Sequence, residues 1–213
     1  LSDNTDIDER ILSASKNFNA LGKEIFRNRK ISLHIRCRLY IATTVNILLW
    51  GCDTWALTCL QLTRLEVFHR KCIRKMLGIT MHQVKEHEIK NEFIMKKSNL
   101  KPVETYLRIC QLCFLTRIAD MDPSRLPRQV VNSQANANGS CSRNVATTKR
   151  AYKMALEKVG LCQNEKGGIT TQAWIERLKH PDTAELIETN LGLTHGHSKE
   201  EEKEKEEERK ILN

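Results

Sequence analysis

Leu60-Gln61-Leu62-Thr63-Arg64-Leu65-Glu66-Val67-Phe68-His69-Arg70-Lys71-Cys72-Ile73-Arg74-Lys75-Met76-Leu77, closed by Gly78, is the stretch on which the fold class turns. At 100° per residue Leu62, Leu65, Phe68, Cys72 and Met76 share one face, while Arg64, Arg70, Lys71, Arg74 and Lys75 occupy the rest. A helix therefore separates the apolar from the charged side chains. Gly78 stands where a left-handed residue commonly ends such a helix.

The same period continues on both sides. Upstream, Ile7, Ile11, Ala14, Phe18, Leu21 and Ile25 recur at steps of four and three, with Thr5 as the expected cap and Asn28 past the end. A second helix is expected from Ser32 to about Leu49, turning Leu33, Cys37, Tyr40 and Leu48 inward. The corner Trp50-Gly51-Cys52-Asp53-Thr54-Trp55 joins it to the basic helix. Its two tryptophans read as core anchors at an apolar helix end, with base stacking as the other use of such rings. Downstream, a short helix is expected over 84–96. Pro102 then opens a fifth, central one carrying Val103, Leu107, Cys110, Phe114, Ile118 and Met121. Phe18, Leu21, Leu65, Phe68, Leu107, Phe114 and Ile118 are expected to form one connected core.

Four prolines and nine glycines in 213 residues leave little turn punctuation, and no run of segments alternates as a sheet would. The expected fold is all-α. About five helices over residues 1–131 make the main domain, and an Asn/Ser/Ala/Gly-rich linker follows over 132–144. A smaller helical unit takes 145–193, and a Lys/Glu tail at 194–213 is expected to be disordered.

The formal net charge of +9 is concentrated. Between Lys16 and Lys75 there are twelve Lys or Arg and three acids. Such a field attracts polyanions, and nucleic acid is the expected partner. The candidate phosphate-contacting residues are Arg27, Arg29 and Lys30 in a turn, with Arg64, Arg70, Lys71, Arg74 and Lys75 on the basic helix. Eight cysteines do not make a disulfide framework here, because Cys37, Cys72, Cys110 and Cys113 lie in apolar helical stretches, as reduced thiols do. His69-x-x-Cys72 and Cys110-x-x-Cys113 offer four zinc-type ligands if their helices pack side by side. Buried cysteine on an apolar stripe is the commoner outcome, so no metal and no cofactor is expected. No carboxylate cluster, phosphate loop or nucleophile elbow is present, so the chain is not expected to be an enzyme. Its longest apolar run, 41–52, is too short for a bilayer, and an intracellular setting, cytoplasmic or nuclear, is expected. The opening on Leu1 without Met reads as the interior of a longer protein.

Several strings carry a resemblance. Leu48-Leu49-Trp50-Gly51-Cys52-Asp53-Thr54-Trp55 resembles the Leu-Leu-Tyr-Gly-x-Glu-Thr-Trp signature found after the palm and thumb of LINE-type, non-LTR retrotransposon reverse transcriptases. Arg64-Leu65-Glu66-Val67-Phe68-His69 through Leu77-Gly78-Ile79 is similar to that family's Arg-Leu-Glu-x-Phe-His … Leu-Gly-Ile. Gln111-Leu112-Cys113-Phe114-Leu115-Thr116-Arg117-Ile118-Ala119-Asp120-Met121 stands where the family has Gln-Leu-Arg-Trp-Ala-Gly-His-Val-Ala-Arg-Met. Leu1 to Asn28 is similar to the helix that precedes the signature and Lys149 to Gly160 matches more loosely, so the resemblance covers roughly residues 1–193. The resemblance implies a non-catalytic region downstream of the polymerase core, packed against an upstream polymerase domain and touching template RNA or target DNA. The palm aspartates that catalyse polymerisation have no counterpart here. The departures at Cys113 to Arg117 prompt the competing reading, a structural remnant of a mobile element that binds nothing.

Overall fold

The computed structural model describes residues 3–136, 148–161, 177–179 and 183. Every regular element among them is helical, which makes the fold all-α. The Lys/Glu tail and most of the linker and small unit expected from the sequence lie outside the described residues.

Helix α1 (Asp3–Ala20) runs into a π turn over Gly22–Phe26. Thr5 thus sits inside the first helix instead of capping it. Helices α2 (Leu33–Tyr40) and α3 (Asn46–Leu48) are two parts of the expected second helix, joined by a π turn at Ile41–Val45. Ser32 caps α2 by accepting from the Ile35 amide. A 3-10 turn at Cys52–Thr54 makes the corner, and Gly51 enters it at φ 70, a conformation that favours glycine.

Helix α4 (Cys59–Leu77) is the basic helix. A capping box starts it: Thr58 accepts from the Gln61 amide while the Gln61 side chain takes the Thr58 amide. Gly78 ends it at φ 71, as the sequence predicts. The expected helix over 84–96 is instead two, α5 (Met81–Glu86) and α6 (Asn91–Ser98), parted at Glu88, whose φ is 47. Thr80, with Gln83, builds a second capping box that starts α5 three residues earlier than expected. Helix α7 (Val103–Asp120) follows Pro102, and α8 (Leu126–Asn136) and α9 (Thr148–Lys158) come next. Residues 132–136, the start of the expected linker, are therefore helical.

The core is two clusters and not the single one expected. Phe18, Leu65, Phe68 and Leu107 are buried in the first with Leu21 against it; Ile118 belongs to the second with Phe114 against it. Helix α7 contributes its first half to one and its second half to the other, which is why so much of its circumference is apolar. Arg108 ties α9 to α7, donating to the Ala151 carbonyl at 3.2 Å and to Gln111 Oε1 at 2.9 Å.

An aromatic line crosses the first cluster. Phe18 and Phe26 stack at 4.7 Å, and Tyr40 meets both edge-on at 5.9 and 6.1 Å. Tyr40 then stacks on His69, which faces Tyr106. Phe26 is fully buried although it lies off the stripe of α1. The π turn supplies the reason: its wider winding adds one residue, so the inward position moves from Ile25 to Phe26.

Candidate nucleic-acid interface

Buried Arg36 organises the basic surface. Its guanidinium donates to the carbonyls of Ile31 (3.0 Å), Phe26 (3.1 Å) and Met76 (2.7 Å). The first two belong to the stretch bracketing the turn at 27–30, and the third to the last turn of α4. A cation there also meets the negative end of the α4 dipole. Arg29 approaches the same helix end, its guanidinium lying 3.3 Å from where a Cβ on Gly78 would stand. The turn bearing Arg27, Arg29 and Lys30 is thereby fixed beside the α4 segment bearing Arg70, Lys71, Arg74 and Lys75.

Arg27, Arg29, Lys30, Lys71 and Lys75 are exposed, and Arg70 and Arg74 are half-buried. Partial burial and the neighbouring Arg70 charge pull the Arg74 guanidinium below its ordinary value. Like charges held this close are relieved by an anion. Arg27 folds partly back, donating from Nε to the Gly22 carbonyl at 3.2 Å. Lys75 is exposed and carries its ammonium over the Phe18 ring, 5.9 Å from the centroid, a cation–π contact. Arg64 is different. It pairs with Asp8 of α1, nearer the start of α4, and does not join the group. The one acid on α4, Glu66, accepts from the Glu104 amide at 3.1 Å, at the start of α7, and leaves the basic arc uninterrupted.

The two tryptophans of the corner take different places. Trp50 is 76% exposed and is no core anchor, because the π turn at Ile41–Val45 rotates it past the apolar face. It lines an open groove with Asp6, Glu9, Arg10 and Asn46. The two carboxylates make that groove a poor phosphate surface. Trp55 is half-buried and packs against the first apolar cluster, as expected of a core anchor, with the Arg10 guanidinium 4.8 Å over its ring.

His69 and Cys72 do not meet Cys110 and Cys113 at a metal site. His69 is fully buried with both ring nitrogens engaged. Nε2 lies 3.1 Å from the Lys101 carbonyl, which can only accept, so Nε2 carries the proton and Nδ1 accepts from the Tyr40 hydroxyl at 2.9 Å. Burial also pushes the neighbouring Cys72 thiol up to about 12. Cys113 is exposed, and Cys110 lies instead with Cys52 and Asp53.

His69 makes stability pH-dependent. Burial lowers its pKa from 6.5 to about 4, so it stays neutral in the folded chain while the unfolded chain takes up a proton. Stability is then complete above the unfolded value and is lost as pH falls from 6.5 toward 4. Urea titrations at pH 7.5 and pH 5 are expected to differ by about 2 kcal/mol, and His69→Gln is expected to flatten most of that slope. A slope unchanged in a folded His69→Gln variant would place the titrating group elsewhere.

Compared with models of known protein families, with curated proteins and with solved structures, the chain finds no significant match. Among the described residues no helix is long and apolar enough to cross a membrane.

Proposed function

We propose that this chain is a non-catalytic helical module that binds the sugar-phosphate backbone of RNA or DNA, and that it derives from the region following the polymerase core of a LINE-type reverse transcriptase. The observation that carries the binding reading is the junction made by Arg36, which sets the turn at 27–30 beside the basic end of α4. The retrotransposon origin rests on the resemblance of residues 48–55, 64–79 and 111–121 to that family's signatures. Exposed guanidinium and ammonium groups on a rigid frame contact phosphates without reading bases, so little sequence preference is expected.

Affinity for a single-stranded oligonucleotide should fall steeply with salt, by about 0.7 log units per log unit of salt for each phosphate neutralised. Replacing Arg70, Arg74 and Lys75 together by Gln should lower that slope by roughly two to three contacts. These side chains lie on the outer arc of α4, so circular dichroism should be unchanged. Equal slopes for two folded proteins would remove this face from the reading and leave a helical scaffold.

A further inference from the structure

We propose that Cys52, Asp53 and Cys110 form a binding site for a divalent cation of the zinc class, with two thiolates and one carboxylate as ligands and a fourth position open to solvent. The three ligand atoms lie within 4.8 Å of one another, the one such His/Cys/Asp/Glu group among the described residues. Around a tetrahedral zinc ion, with Zn–S about 2.3 Å and Zn–O about 2.0–2.2 Å, neighbouring ligand atoms stand roughly 3.3–3.8 Å apart. Closing the group onto an ion therefore needs movement of an ångström or so, within reach of side-chain rotation.

The ligands come from two elements that are already joined. Cys52 and Asp53 are consecutive in the 3-10 turn that Gly51 opens, and Cys110 sits in the middle of α7. Gln111, next to Cys110 and fully buried, donates to the Trp55 carbonyl at 2.9 Å and so fastens the corner to α7. Cys52 is buried, while Asp53 and Cys110 are half-buried, which leaves one side of the group facing water. That is the layout of a three-ligand site with an open position, not of a closed four-ligand staple.

Two thiols would give up two protons on binding, and the ion with two thiolates and a carboxylate carries one net negative charge. Arg117, two turns along the same face of α7 from Cys110, offsets it. Paired thiolates select zinc or cobalt over magnesium and calcium, which prefer all-oxygen ligands.

Cobalt is the probe. Titrating Co2+ into the reduced full chain should produce a thiolate-to-metal charge-transfer band with tetrahedral visible bands, saturating at one equivalent, and Zn2+ should bleach both. Cys52→Ser and Cys110→Ser should each remove the bands, whereas Cys59→Ser, at the exposed start of α4, should keep them. Should a variant lose its helical circular dichroism, the unmodified chain decides: Zn2+ should slow alkylation of Cys110 by N-ethylmaleimide and leave that of Cys59 unchanged. Absence of a tetrahedral cobalt spectrum overturns the proposal, as do bands that survive in folded Cys52→Ser and Cys110→Ser. So does a Cys52–Cys110 disulfide that hydrogen peroxide forms equally fast with and without Zn2+, which would make the group a simple thiol pair.

Discussion

Phe26→Ala lowers the unfolding free energy by about 3–5 kcal/mol, read as a shift of the urea midpoint at unchanged slope. Phe26 is fully buried and stacks on Phe18 at 4.7 Å while Tyr40 meets its edge, so truncation opens a void walled by two rings. Rings held by their own helices cannot collapse into that space, which places the cost at the upper end for aromatic truncation. Phe26→Leu, which refills part of the volume, should recover more than half of it. A loss below about 1 kcal/mol for the alanine variant would mean that the π turn relaxes and another residue takes the site.

Arg36→Met is expected to cost about 3–5 kcal/mol, in spite of the desolvation penalty that the buried charge itself carries. When the partner of a buried arginine is a carboxylate, removing both can be neutral. Here the partners are the buried carbonyls of Phe26 and Met76 and the half-buried carbonyl of Ile31, which stay behind without this donor. Methionine matches the stem and isolates the loss of the hydrogen bonds. Lysine keeps the charge but not the fork, and should restore only part of the stability. A methionine variant as stable as the parent would show that water or a backbone shift satisfies the three carbonyls. Because Arg36 also fastens the turn at 27–30 to the end of α4, the same change should reduce the salt dependence of oligonucleotide binding.

Where a helix is regular, the sequence discloses both its limits and its inward face. Residues 59–78 are the clearest case: the 3.6-residue period, the Thr58/Gln61 box and the left-handed Gly78 act within one helix and agree with one another. The two π turns are not legible, since nothing in Gly22–Phe26 or Ile41–Val45 marks an added residue. Each rotates the residues after it away from the regular period, which is why Phe26 lies in the core off the expected stripe and Trp50 lies outside it. The basic group is legible as composition but not as an arrangement. Arg36 and Arg64 look alike in the sequence; the fold buries one as a clamp and pairs the other with Asp8. Cys52 and Cys110 are far apart in the chain, and only the packing of the corner on α7 brings them together.

Helix α7 enters both apolar clusters, and this bears on how the chain comes apart. Its first half lies among Val103, Leu107 and their neighbours, its second among Leu112, Leu115 and Ile118. Neither cluster can open fully without stripping side chains from a helix that the other still holds. Forming either one fixes the backbone of α7, so the second assembles on a rod whose chain entropy has already been lost. Helices α8 and α9 can detach and leave that rod in place, making them the local opening unit, whereas releasing α7 means releasing everything.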